Sequence, residues 1–254
     1  MENDTLNEIV YAELNFPGLF SDAYLTDYGV LYHNEKISLS YDSNHAIIYD
    51  DSIKGYEEII RSITDFYEAK NIIPRIYSPL VPGQLIKIKN VLERSDYIIQ
   101  QYTNYYLIHE AKCSINEPYS LKIKRINGQS ELSSMNDFFD NDWNYELLQR
   151  QIRNKDFHLL IGFENDIPVS KCSIQCIEKT GRVDDVETKK EYRGKGYSRQ
   201  MIRHLIKYNY EICNNSILYL WYSNYIAGKI YREAGFIDYE NDFESWSAYK
   251  RPSI

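Results

Sequence analysis

Apolar positions along this chain recur with two periods, and the switches between them mark out its elements. In the second half, alternating or continuous apolar runs predict strands over Ser120–Ile126, His158–Glu164, Pro168–Glu178, Arg182–Thr188 and Ile217–Tyr222. Helical spacing predicts short helices over Glu131–Asn141 and Tyr145–Asn154, and a longer one from Tyr197 to about Cys213 with Met201, Leu205, Tyr208 and Ile212 as its apolar stripe. A last helix runs through Tyr231: Ser223 or Asn224 can cap its start, and Gly235 can take the left-handed turn at its end. Asn165-Asp166 and Thr180-Gly181 are read as turns, and a closing hairpin is expected through Trp246 and Tyr249. Meandering strands followed by strand–helix alternation predict an α/β fold, a mixed and mostly antiparallel sheet flanked by helices, not a doubly wound parallel sheet.

The first half reads as a worn copy of this pattern. Lys54-Gly55-Tyr56 repeats Lys195-Gly196-Tyr197 at an offset of 141. Beyond it, a helix through Ile59, Ile60, Ile63 and Phe66, a strand at Ile72–Tyr77, a helix at Leu85–Arg94 and a hairpin at Tyr97–Ile108 follow the order of the second half. Two domains are expected, residues 1–115 and 116–254, related by duplication.

The densest chemical signal is the run from Val186 to Ser198. A β-branched segment passes through a basic loop with Gly194 and Gly196 directly into a helix, which makes a phosphate cradle: glycines turn backbone N–H groups toward an anion, and the helix start adds unpaired amides and a positive dipole end. Arg193 and Lys195 place positive charge beside it. The spacing fits neither the P-loop nor the dinucleotide fingerprint, which needs Gly where Arg199 stands.

The pattern Arg193-x-x-Gly196-x-Ser198 after Val186-x-Thr188 resembles the acetyl-CoA signature of the GNAT superfamily of N-acetyltransferases. So does Asn224-x-x-Ala227-x-x-x-Tyr231-x-x-x-Gly235-Phe236, at the separation the family shows. Ser198 stands where the family has Gly or Ala, and Lys190 where many members have Pro. The resemblance covers roughly residues 120 to 250 and implies a GNAT-type fold, with a degenerate copy in the first half. It also implies acetyl-CoA as co-substrate, its pyrophosphate on Arg193, Gly194, Lys195, Gly196, Tyr197 and Ser198, its pantetheine along Val186, Glu187 and Thr188, and a contact from Asn224. By the same resemblance Tyr231 is the general acid that protonates the departing thiolate; a phenol with pKa about 10 stays protonated at neutral pH. The base is less determined by the residues. Regular alternation would put Asp184 on the face of Val186 and Thr188, with Asp185 and Glu187 on the other, and Asp184 is favoured on that ground, acting through water.

At the offset of the repeat, Ser52, Ile53 and Glu57 replace Arg193, Gly194 and Ser198, with Asp50, Asp51 and Glu58 adjacent, and Asn90, Val91 and Leu92 stand near the counterpart of Tyr231. Carboxylates at a helix start oppose a phosphate, so the first domain is expected to bind no coenzyme.

Composition narrows the partners. With 254 residues and 43% hydrophobic content the chain can bury a full core, and a net charge of −8 argues against nucleic acid and for a cationic acceptor. The expected acceptor is a small-molecule or peptide amine, with homodimerisation left open. An acidic start and no long apolar run argue for a cytoplasmic protein without a membrane partner. Cys113, Cys172, Cys176 and Cys213 form no Cys-x-x-Cys pair and the histidines are scattered, so no metal is expected; Cys172 and Cys176 would share one face of a strand, as a redox pair could, but the cysteines are read as small buried thiols. Two other readings compete: a non-catalytic acyl-CoA-binding or sensing protein, against which Tyr231 argues, and an aminoacyl-tRNA-dependent transferase of similar fold, against which the acidic charge argues.

Overall fold

The computed structural model describes residues 2–49, 55–110, 120–133, 135 and 142–251. In chain order the elements are α1 (Glu2–Asn15), β1 (Asp22–Leu25), β2 (Gly29–His33), β3 (His45–Ile48), α2 (Tyr56–Glu68), β4 (Arg75–Tyr77), α3 (Gln84–Arg94), β5 (Tyr97–Tyr102) and β6 (Tyr105–His109). The second half follows with β7 (Lys122–Ile126), α4 (Gln129–Ser133), α5 (Asp142–Gln151), β8 (Phe157–Glu164), β9 (Ile167–Ile177) and β10 (Thr180–Thr188). It closes with α6 (Tyr197–Tyr208), β11 (Ile217–Tyr222), α7 (Tyr225–Glu233), β12 (Ile237–Asp238) and β13 (Ser245–Lys250). Asp50, Asp51, Ser52, Ile53, Lys54 and Cys113, all invoked above, lie outside the described residues. No helix among the described residues is long and apolar enough to cross a membrane.

The chain forms two compact units, and their boundary is not a single cut near residue 115. The larger unit is residues 1–19 with 104–240; the smaller is 20–103 with 241–254. In the larger, the sheet order is β12-β6-β11-β10-β9-β8-β7; in the smaller it is β1-β2-β3-β4-β13-β5. Both sheets are mixed and mostly antiparallel, with one parallel step each, β10–β11 and β3–β4. The expected hairpins therefore do not form. β5 and β6 are separated by two residues yet enter different sheets, and so do β12 and β13: β13 lies between β4 and β5, and β6 between β11 and β12. Burial is the reason. Trp246 and Ala248 of β13 join the core of Ile63, Ile76 and Tyr97, whereas Leu107 of β6 joins that of Leu205, Leu218 and Phe236. A short turn between two apolar strands is the local signature of a hairpin, but long-range packing overrides it.

Two local expectations need adjustment near the site. The turn before β10 is at Glu178–Lys179, with Glu178 at φ 52, and Thr180-Gly181 begin the strand. The long helix stops as α-helix at Tyr208 and continues as one π turn over Asn209–Cys213. Met201 and Leu205 of the predicted stripe are fully buried, but the wider turn rotates Ile212 outward to 60% exposure.

Candidate functional site

Strand β10 leads into the site, and its bulge decides which side chains meet there. Against β9, Asp184 pairs with Ser173 and Glu187 with Lys171, so three steps on one strand span two on the other. Asp185, within the bulge, has φ 55. One extra residue reverses the alternation beyond it. Asp184 therefore does not share a face with Val186 and Thr188. Instead the three carboxylates gather beside one row of β9: Gln175 Nε2 donates to Asp184 Oδ2 at 3.4 Å, Ser173 Oγ to Asp185 Oδ2 at 3.0 Å, and Lys171 pairs with Glu187 at 3.2 Å. Val186 packs on the opposite face, against the core under α6.

A buried network beneath the carboxylates was not legible in the sequence. Arg182 bonds Glu13 of α1 at 2.7 Å, stacks 4.0 Å from the Phe16 ring, and pairs with Asp184; Tyr219 donates to the same Glu13 at 2.9 Å. Nothing in a linear reading links positions 13 and 182. Asp184 thus has one oxygen held by Arg182 and Gln175, and the other accepts from the Asp185 amide at 2.9 Å. Burial, followed by repulsion from Asp184, pushes the Asp185 carboxyl up to about 6, against the pull of Lys171, Ser173 and Arg182.

The loop after β10 has the backbone the glycines predicted. Lys190–Tyr192 form a tight helical turn, Gly194 has φ 82, and Gly196 has φ 79 as N-cap of α6. A Cβ added at either glycine meets no atom within 4 Å. No side chain caps α6 and no acidic residue lies in its first turn, so the helix start retains its unpaired amides. Its side chains are more engaged than expected. Arg193 Nε donates to the Thr188 carbonyl at 3.0 Å, while Lys195 pairs with Glu164 at 3.2 Å and lies 4.9 Å over the Tyr192 ring. Tyr197 also donates to Glu164, which holds that carboxyl below its ordinary range. Ser198 hydrogen-bonds Thr188 at 2.8 Å, and Thr188 bonds Ser170 at 2.8 Å, so the serine fastens α6 to the sheet.

Across the parallel step, β10 and β11 are registered only from Thr180–Ile217 to Arg182–Tyr219, although both strands continue beyond. Helix α7 follows β11. Asn224 caps it, accepting from the Ile226 amide at 2.9 Å, and Gly235 ends it at φ 103, as the sequence indicates. Gly228 is needed for the close approach, since a Cβ there would overlap the Tyr222 ring. Tyr231 is 8% exposed, with Tyr222 and Phe236 edge-on at 6.4 and 6.2 Å. Burial, with Cys172 and then Asp184 nearby, pushes its phenol up to about 12. Tyr231 and Asp184 are therefore electrostatic neighbours, although they come from different elements.

The model of the acetyltransferase (GNAT) domain matches residues 125–246. No curated protein gives a significant sequence match. Among solved structures, a GCN5-related N-acetyltransferase from Kribbella flavida is similar at a TM-score of 0.68 and 14% identity, over 97% of this chain and 95% of that one. A functionally unknown conserved protein from Staphylococcus epidermidis aligns at 0.64 and 15%, over 91% and 94%. A GCN5-related N-acetyltransferase from Sphaerobacter thermophilus aligns at 0.52 and 13%, over 91% and 83%. At such identities the likeness is one of fold, and it extends over both units. Residues 125–246 of this chain therefore match the acetyltransferase (GNAT) domain model, and the chain as a whole is similar in fold to solved structures that include GCN5-related N-acetyltransferases.

Proposed function

We propose that the larger unit transfers an acetyl group from acetyl-CoA to a primary amine. The observation that carries this reading is the pair of left-handed glycines at the uncapped start of α6, opening onto free space beside the bulged end of β10. The pyrophosphate would rest on the amides of residues 194–198, with Arg193 and Lys195 adding charge, and Lys195 exchanging Glu164 for the phosphate. Backbone groups of Val186–Thr188 would run beside the pantetheine, and Asn224 would add a contact from the start of α7. Acetyl-CoA supplies the activated acyl group.

Tyr231 stands on the far side of the parallel step as proton donor to the departing sulfur. A phenol near 12 is a weaker acid than a thiol near 8.5, so complete transfer is uphill by about 5 kcal/mol. Tyr231 then acts chiefly by hydrogen-bonding the developing thiolate, a charge that water finally neutralises. For the base, Asp184 remains in the proposed site, but its oxygens are held by Arg182, Gln175 and a backbone amide. The two aspartates are best read together: Asp184 orients, and Asp185, poised about 6, takes the proton of the incoming ammonium through water. The carboxylates Asp184, Asp185 and Glu187 on one face suit a cationic acceptor.

The test uses the full chain. Calorimetric titration with acetyl-CoA should give a stoichiometry near one, and a panel of amines assayed for release of free thiol should reveal turnover. A folded protein that neither binds acetyl-CoA nor releases thiol with any amine would overturn the reading. Binding without turnover would favour the acyl-CoA-sensing alternative.

A further inference from the structure

Three residues that share no motif converge at the opposite end of α6 from the loop. His158 lies near the start of β8, Cys176 near the end of β9, and Cys213 closes the π turn. Their imidazole nitrogen and two sulfurs all lie within 4.8 Å of one another. Pairing explains the first two: His158 stands opposite Ile174, so Cys176 is the diagonal neighbour on the same face of the sheet. The π turn brings in the third, and Asn214 at φ 56 then reverses the chain. Single π turns of this kind concentrate at functional sites.

The surrounding groups hold the three in place. The Tyr208 hydroxyl lies 3.2 Å from His158 Nδ1, so a proton on Nδ1 leaves the Nε2 lone pair as donor. Asn215 Nδ2 donates to Cys176 Sγ at 3.3 Å and to Asn209 Oδ1 at 2.8 Å. Gly181 gives this amide pair its room: a Cβ there would stand 2.5 Å from Asn209 Oδ1 and 3.0 Å from Asn215 Nδ2.

We propose that His158, Cys176 and Cys213 bind a soft d10 cation, zinc foremost. One imidazole and two thiolates are a donor set for zinc, whereas magnesium and calcium require oxygen. A tetrahedral site with Zn–S about 2.3 Å and Zn–N about 2.0 Å needs ligand atoms about 3.5–3.8 Å apart, within the span already present. Both sulfurs bind as thiolates, any thiol proton passing to solvent; two thiolates and a divalent cation sum to zero, so the nearby Arg125 guanidinium adds no net repulsion. Both cysteines are half-buried, which lets water fill the fourth position. The twelve residues of α6 separate this cluster from the loop by roughly 18 Å. The metal would clamp the end of α6 to β8 and β9, a structural role independent of acetyl transfer.

The reduced, metal-stripped chain should take up one cobalt(II) with thiolate-to-metal charge-transfer absorption, which zinc displaces. Zinc should also raise the melting temperature and, by peptide mapping after alkylation, protect Cys176 and Cys213. Cys176→Ser and Cys213→Ser should each abolish the charge-transfer bands, and His158→Gln should weaken binding at least tenfold, with folding checked by circular dichroism. Cobalt without thiolate bands in the wild-type chain, protection that falls on other cysteines, or a Cys176–Cys213 disulfide in a protein that takes no metal when reduced would each overturn the proposal. The wild-type measurements decide even if a variant fails to fold.

Discussion

Helices α6 and α2 occupy the same place in their units, each crossing between two parallel-paired strands, β10 to β11 and β3 to β4. Their first turns differ in backbone and in charge. α6 starts from Gly196 at φ 79 with no acid in its first turn. α2 starts from Gly55 at φ −65 and carries Glu57 and Glu58 there, with Glu57 bound to Arg94 at 2.9 Å. Carboxylates at that place occupy the positive end of the dipole that an anion would otherwise use. The contrast extends along each unit. Opposite Asn224 and the buried Tyr231 of α7, the smaller unit has Gly83 at φ 83 and an exposed Asn90 on α3. Opposite the bulged β10 it has four fully buried residues in β3. A shared frame therefore does not imply a shared site: three local changes, at a loop, a bulge and one helix face, separate the two units.

The strongest way to break this comparison is Gly196→Val. A β-branched residue at positive φ is strained by roughly 1–2 kcal/mol, and its side chain would fill the space in front of the amides. Acetyl-CoA affinity should fall by about 100-fold or more in a protein that still folds, with no weaker second site remaining. Unchanged affinity by calorimetry would remove the loop from the site, and a residual site would restore a role for the smaller unit.

Tyr231→Phe comes next, because it removes one hydroxyl from a packed position and little volume. The turnover number should drop by about 10²-fold at unchanged acetyl-CoA affinity. Steady-state kinetics with an identified amine measures it, and full activity would reduce Tyr231 to the packing role that Val91 has in α3.

Asp185 gives opposite pH trends for activity and stability. As a base near 6, it should make kcat/KM rise with pH through about 6 and level off above. Its folded-state value lies above the ordinary 3.8, so its contribution to stability is fully present below about 3.8 and lost as pH rises through about 6. Asp185→Asn should therefore lower turnover about tenfold yet stabilise the fold at pH 8, on the order of 1–2 kcal/mol. Thermal melts at pH 5 and pH 8 test the second half. A melting temperature unchanged or lowered at pH 8 would show that Asp185 is not strained by its charge.

The smallest effect is expected from Glu57→Gln with Glu58→Gln. Removing both carboxylates should cost the smaller unit about 0.3–1 kcal/mol each and create no coenzyme site, since the left-handed glycine, the bulge and the tyrosine are missing as well. Titration stoichiometry should remain near one; a second bound acetyl-CoA would mean that charge alone separates the two helices.

The features legible in the sequence are those fixed within a few residues. Gly194 and Gly196 announce positive φ because only glycine adopts it cheaply, Asn224 and Gly235 bracket α7 by capping chemistry, and the spacing of Met201 and Leu205 sets the buried face of α6. Such preferences act through neighbours in the chain and need no partner. What the tertiary structure alone decided depends on segments far apart. The bulge at Asp184–Glu187 placed three carboxylates on one face, against the alternation; Glu13 reached Arg182; His158, Cys176 and Cys213 met at the end of a helix; and β6 and β13 left the hairpins their turns suggested. In each case burial of apolar surface and satisfaction of buried charge over long sequence separations outweigh local pattern, because the free energy of a core belongs to whichever strands fill it and not to those that are adjacent in the chain.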